Sequence, residues 1–267
     1  MAVREDLQRQ FLALVEREFG RPLVGAPAVL TETDLERLPD PVARYVRGTG
    51  AVGRPRPRRM RVVLDATMRR RPGDPGFRAV SVQYSSLERP TRLFLMQARM
   101  FGLPVRALHV YREESATFRV RVASVKDMVD LSGPPISAAE TVTVLNDLCL
   151  MAPGALVDER LSWTPVDDRS AVVRFRNGPH DVSATLVIDG DRLVDFVSDD
   201  RPEAGSGRFE PARWRTPMTR TGTLAGGLRL GIEGHAVYER PDGPFAYADM
   251  TIRSIDYDVA APAVLPW

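Results

Sequence analysis

The sequence predicts an α+β protein: a large curved antiparallel sheet, open or half-barrel, of about ten to twelve strands, wrapped around a central apolar helix and preceded by an N-terminal helical prefix. Three observations predict it. The first fifty or so residues carry apolar side chains at helical spacing. From about residue 60 onward the chain breaks into short alternating segments joined by tight turns. Between two sets of those segments stands one helix-length stretch, 137–151, that is apolar around most of its circumference, which marks a buried helix. The expected division is a prefix at 1–55 and a half-barrel domain with its central helix at 56–267, together one structural unit.

In the prefix, Leu7, Phe11, Leu14 and Val15 form one face of a helix over 3–19, with charges opposite. Thr31 with Asp34 three residues on is a capping-box-like start. Pro39 ends that helix, and Asp40-Pro41 starts a short one through Val46, because proline suits a first helical turn. RVVLDATMRR and FRAVSVQYSS then flank Pro72-Gly73-Asp74-Pro75-Gly76 as a hairpin. TRLFLMQARM, VRALHVYR and ATFRVRVAS follow. In the last, Phe118, Val120 and Val122 face one way and Arg119 and Arg121 the other, the pattern of a half-buried strand. After Gly133-Pro134-Pro135, Ser137 is expected to cap the central helix, with Glu140 at its third position. LSWTPV, AVVRFRN, DVSATLVID and RLVDFVSDD form a second run of strands, and three longer ones are expected near 213–221, 228–239 and 245–258.

Composition excludes several classes. The single Cys149 permits no intrachain disulfide and reads as a small core residue. Charges at Arg4, Glu5, Asp6 and Arg9 interrupt the start, so a signal peptide is not expected, and no stretch is apolar for long enough to span a membrane. A cytoplasmic protein without an integral membrane segment is therefore expected. Net charge is only +2, and the run RPRPRRMR has prolines where a reading helix needs none, so no nucleic-acid partner is expected. Gly48-Thr49-Gly50-Ala51-Val52-Gly53 matches a dinucleotide fingerprint in letters, but a helix precedes it and Arg54-Pro55 follows, which makes it a connector. Gly205-Ser206-Gly207 lacks the spacing of a nucleophile elbow. His109, His180 and His235 have no ligand partners at metal spacing, so neither metal nor cofactor is expected.

The candidate site centres on the apolar helix. Glu140, Thr143 and Asp147 form one polar stripe, with Asn146 beside it. A buried carboxylate needs a cation, and Arg174 or Arg201 is the expected supplier. His109 and Tyr111 share a strand face that can look into a cavity. Two functional classes follow. In the first, the cavity binds a hydrophobic or amphiphilic small molecule, with Tyr111 and Trp163 giving area and Arg174 or Arg201 meeting an anionic head group. In the second, a cofactor-independent isomerase, cyclase or dehydratase uses Asp147 as acid or base and Asn146, His109 or Tyr111 as hydrogen-bond donors. The plainer reading is that Asn146 and Asp147 only tie the helix to the sheet.

Three segments carry a family resemblance: Leu145-Asn146-Asp147-Leu148-Cys149-Leu150-Met151-Ala152-Pro153, with Ala155 to Asp158 and Trp163; Phe196-Val197-Ser198-Asp199-Asp200-Arg201; and Trp214-Arg215-Thr216-Pro217. They resemble a family of uncharacterised bacterial proteins, frequent in actinobacteria, known by a domain-of-unknown-function label. Leu38-Pro39, Pro41-Val42 and Tyr45 resemble its entry, so the similarity covers about 35–258. Leu145 stands where that pattern commonly has an aromatic. The family brings no established activity. More loosely, the order of elements resembles lipoprotein-sorting carriers, which wrap an open half-barrel around helices.

Overall fold

The computed structural model describes residues 6–123, 126–204, 208–260 and 265–267; the first residues of the predicted prefix helix and Gly205-Ser206-Gly207 lie outside them. Helices α1 (Leu7–Phe19), α2 (Glu32–Leu35) and α3 (Asp40–Gly48) lead into strands β1 (Arg59–Met68), β2 (Phe77–Ser86), β3 (Thr91–Met100), β4 (Leu103–Arg112), β5 (Ser115–Val122) and β6 (Lys126–Ser132). Helix α4 (Pro134–Met151) follows, and then β7 (Leu161–Pro165), β8 (Ser170–Asn177), β9 (His180–Asp189) and β10 (Arg192–Ser198). Short strands β11 (Glu203–Ala204), β12 (Phe209–Glu210) and β13 (Arg213–Arg215) precede β14 (Met218–Thr223), β15 (Arg229–Arg240) and β16 (Gly243–Tyr257).

Apart from the small β11–β12 pair, the strands form one open antiparallel sheet of fourteen in the order β6-β5-β4-β3-β2-β1-β16-β15-β13-β10-β9-β8-β7, with β14 also on β15. The count exceeds the expected range for two reasons. Pro217, which has no backbone N–H to give, separates β13 from β14 within what reads as one strand. β6 is an edge strand with charges at Lys126, Asp127 and Asp130 that hide its pattern.

This topology explains the curvature. β6 and β7 are the two edges of the sheet, yet they follow one another in the chain with only α4 and a short connection between them. At ~4.8 Å per strand spacing a flat sheet of this order would hold its edges about 60 Å apart. The 18-residue α4 is about 27 Å long. α4 packs against β5 and β6 at one edge and against β9, β10 and β15 in the other half, so the sheet curls around it and α4 lies across its concave face.

Register sorts residues between the faces. Val62, Gln83, Phe94, His109, Phe118 and Leu131 lie opposite one another on successive strands and face inward. Val63, Val82, Leu95 and Leu108 face outward, where α1 covers them with Leu7, Phe11, Val15 and Phe19. The prefix divides between the faces: α3 joins the inner core through Val42, Tyr45 and Val46. The capping box of Thr31 and Asp34 forms as expected, and Pro41 sits in the first turn of α3.

One correction concerns the start of α4. Ser137 does not cap α4. The helix starts at Pro134 after Gly133, whose φ of 94° suits glycine, and the two prolines occupy positions where no N–H is needed. The Ser137 hydroxyl instead donates to the Gly133 carbonyl and accepts from the Ala116 amide, pinning α4 to β5. In the basic run, Arg54 reaches the Gly226 carbonyl, Arg56 pairs with Asp34, Arg58 with Glu88, and Arg61 with Asp256, while Arg59 donates to the Phe19 and Arg21 carbonyls.

Candidate functional site

Between α4 and the concave face lies a cavity of about 820 Å³. Most of its wall is apolar, and six of the nine methionines line it: Met68, Met96, Met128, Met151, Met218 and Met250. Unbranched, polarisable thioethers adapt to irregular apolar shapes. The α4 stripe read from the sequence faces this cavity: Glu140, Thr143, Asn146 and Asp147 all line it.

Arg92 holds the polar end of the wall together. It alternates with Leu93 on β3, so it turns inward while Leu93 turns out to α1, and it is only 8% exposed. Its Nε donates to Asp147 Oδ2 at 2.8 Å and its Nη1 to Glu140 Oε2 at 3.3 Å. Gln83 Nε2 donates to the same Asp147 oxygen at 2.7 Å and to Ser85 Oγ at 2.9 Å. Thr143 Oγ1 donates to Glu140 Oε1 at 3.1 Å, and Arg201 Nη2 stands 3.7 Å from that oxygen.

Arg201 comes from the end of β10. Asp199 pairs with Arg213 on the exposed side, Asp200 accepts from the Ser183 amide and hydroxyl, and Arg201 turns inward. Its guanidinium lies 4.6 Å from the Trp214 ring centre and 5.5 Å from that of Tyr238, an arrangement that favours a cation. It donates to the Thr143 and Tyr238 hydroxyls. Tyr238 stacks on Tyr247 at 5.4 Å, and Trp214 Nε1 donates to the Tyr247 hydroxyl at 3.1 Å. Asn146 Nδ2 donates to Thr216 Oγ1 at 2.7 Å. The three segments that carried the family resemblance therefore meet here: α4, the end of β10, and the Trp214–Thr216 stretch.

Burial sets the protonation states. It raises the pKa of Asp147, and Arg92 and Gln83 offset it only in part. Burial also opposes ionisation of Glu140, but His109, Arg92, Arg201 and the Thr143 hydroxyl outweigh it and hold Glu140 below its ordinary value. His109 is pushed down to about 4 by burial, with Arg92 and Arg201 adding to the effect and Glu140 opposing it. Its Nδ1 stands 3.3 Å from Glu140 Oε2, its ring packs 4.7 Å from that of Phe118, and its Nε2 is buried with no hydrogen-bond partner among the described residues. The pKa of Tyr238 is raised by burial despite Arg201.

A profile for a family of unknown function matches residues 28–250, most of the chain and all three of those segments. The chain belongs to that family, DUF6544. No protein of curated function matches the sequence. Two solved structures are similar to this DUF6544 chain. One is a domain described as an outer membrane lipoprotein-sorting protein from Vibrio parahaemolyticus, at TM-score 0.42 and 5% identity over 74% of this chain and 85% of that one. The other is a DUF1329 family protein from Desulfovibrio piger, at TM-score 0.42 and 12% identity over 88% of this chain and 96% of that one.

The DUF6544 cavity gathers some of the sequence-derived candidates and leaves others outside. Asp147, Asn146, His109 and Arg201 line it. Tyr111 shares the His109 face as expected, but it is fully buried beyond the cavity, where its hydroxyl meets Thr141 and accepts from Asn177. Trp163 packs against the core and donates to the Leu156 carbonyl. Arg174 points outward, where it pairs with Asp181 and cannot serve the α4 carboxylates. Arg92 supplies Asp147 instead. Alternation alone does not reveal it: Arg92, Phe94 and Met96 share the cavity face of β3, but Leu93 and Leu95 on the other face are equally buried because α1 covers them. Gln83 likewise faces the cavity while its neighbours Val82 and Tyr84 are buried under α1, and the sequence reading did not single it out.

Proposed function

We propose that the protein binds a hydrophobic or amphiphilic small molecule in the cavity between α4 and the concave face of the sheet. One observation carries this reading: a cavity of about 820 Å³ whose mostly apolar wall ends in a compact set of buried polar groups. That volume lies within the usual range for small-molecule sites, and an apolar lining with a few convergent polar groups is their usual chemistry. The six methionines suit a ligand with a flexible apolar body.

Native mass spectrometry of freshly purified protein, with organic extraction and identification of whatever accompanies it, is the direct test. Reproducible co-purification of an apolar or amphiphilic compound that a neutral fluorescent hydrophobe displaces supports the reading. Failure of a graded series of such compounds to bind at micromolar concentration refutes it.

The enzymatic alternative rests on Asp147, which lines the same cavity with a raised pKa. Against it stands the engagement of Asp147 Oδ2 by both Arg92 and Gln83, the arrangement of a carboxylate that anchors a helix. Asp147→Asn separates the two readings. It spares binding in the first and abolishes turnover of any identified substrate in the second.

A further inference from the structure

The polar end of the cavity is close to electrically self-contained. Arg92 is shared by Asp147 and Glu140, and Arg201 is enclosed by Trp214 and Tyr238 while it serves Thr143, Tyr238 and Glu140. At this end Arg92 and Arg201 face Asp147 and Glu140; elsewhere on the wall Arg240 pairs with Glu203, and Arg70 stands 4.0 Å from Asp74. A ligand carboxylate or phosphate entering here would compete with Glu140 and Asp147 for cations already engaged.

What the wall lacks is a partner for uncharged groups. The buried His109 Nε2 and the buried Ser81 Oγ both belong to cavity-lining residues, and neither has a hydrogen-bond partner among the described residues. A buried polar atom left unpaired is costly, so a ligand that completes it gains binding free energy. The geometry also fixes the sense of the bond at His109. Its Nδ1 stands 3.3 Å from a Glu140 oxygen that Arg92 also contacts. A ring lone pair directed at that carboxylate would be repelled, so the ring proton resides on Nδ1. Nε2 then offers a lone pair and no hydrogen, and it can only accept.

We infer that His109, oriented by Glu140, is the hydrogen-bond acceptor for a ligand hydroxyl, and that the bound molecule is an uncharged amphiphile with an alcohol head group and an apolar body. This rests on the binding reading above and narrows it. Ser81 can accept or donate and serves as a second contact along the β2 wall, two residues from Gln83 on the same face. The alternation of β4 places His109 and Ala107 toward the cavity and Leu108 toward α1. The small Ala107 leaves room beside the imidazole.

The test compares three probes of equal chain length by displacement of N-phenyl-1-naphthylamine: 1-dodecanol, its methyl ether and dodecanoate. The alcohol can donate, the ether can only accept, and the carboxylate brings charge. Wild-type protein is expected to bind the alcohol about tenfold more tightly than the ether, the scale of one buried hydrogen bond. His109→Leu is expected to reduce the alcohol to the ether's affinity while leaving the ether unchanged. The wild-type comparison alone decides the sense of the bond, so the test survives a variant that fails to fold. Equal affinity for alcohol and ether overturns the acceptor assignment while leaving the cavity reading intact. Tightest binding of dodecanoate overturns it in favour of an arginine-held anion. A preference for the alcohol that persists in His109→Leu removes His109 from the role. If the naphthylamine and all three probes fail to bind, the cavity reading itself falls.

Discussion

Replacing Arg92 with methionine removes the cation shared by two buried carboxyl groups while keeping much of the side chain's apolar length. Asp147 is then left with Gln83 alone, and Glu140 keeps Arg201 at 3.7 Å and Thr143 at 3.1 Å. Removing one member of a buried ion pair typically costs about 3–5 kcal/mol, because the remaining charge is uncompensated. In a chain of this size that corresponds to a fall of roughly 10 °C in Tm. Asp147→Asn is the informative control. Arg92 still meets Glu140 in that variant, so the loss is one charge-assisted hydrogen bond, about 1.5–3 kcal/mol. Acid adds a second signature. The pKa of Asp147 is raised by burial, and it rises further without Arg92. A carboxyl group with a raised folded pKa contributes stability that is fully present below its unfolded pKa and lost as pH rises through its folded one. The deficit of Arg92→Met is therefore largest at neutral pH and shrinks as pH falls toward about 4. Glu140 acts in the same direction on the difference. Its folded pKa is lowered, so its stabilisation is lost in acid, and the variant has less of it to lose. Thermal unfolding followed by circular dichroism at several pH values measures both effects. A deficit in Arg92→Met smaller than in Asp147→Asn, or one that grows in acid, refutes the reasoning.

Three further outcomes follow from the same structure. His109 is held down to about 4 by burial, against an ordinary value of 6.5, so its contribution to stability is present above 6.5 and lost as pH falls toward 4. His109→Leu should flatten the stability profile in that window, and an unchanged slope would count against a buried neutral imidazole. The Tyr45 hydroxyl donates to the Cys149 carbonyl at 2.8 Å, in the last turn of α4, where carbonyls lack helical partners. Tyr45→Phe should cost about 1–3 kcal/mol in denaturant unfolding, and a neutral effect would show that water takes the hydroxyl's place. Cys149 is fully buried and its thiol pKa is raised by burial, so a thiol reagent should label it only with global unfolding; rapid labelling of the native protein would contradict the packing of α4.

Most of the fold was legible because burial imposes simple periods. Phe118 against Arg119 states which face is inside, and α4 shows itself by having no polar face wide enough for solvent. What escaped has local causes. In β6 the inward parity shifts at Met128: Val120 pairs with Val129 but Arg121 with Asp127, so Met128 sits in a bulge and alternation fails there. The start of α4 was misplaced because serine is a good cap in general, whereas Pro134 and Pro135 occupy a first helical turn without needing one.

The site was half legible for a different reason. The α4 stripe follows from helical spacing within one segment, so Glu140, Asn146 and Asp147 emerge together. Their partners lie far away in sequence: Gln83 and Arg92 on β2 and β3, Arg201 after β10, Thr216 after β13. Pairing across such separations depends on strand register, which neither composition nor spacing reveals. Arg174 and Arg201 look equivalent as candidate cations. They differ in that Arg174 alternates with the buried Val173 and Phe175, and so must face out, whereas Arg201 lies beyond the strand's last residue, free of that alternation. The same rule fails for Arg92, which alternates with the equally buried Leu93, because α1 covers the outer face of β3. A charged residue on the inward parity of a strand had to meet an opposite charge, and α4 carries the two carboxyl groups that meet it.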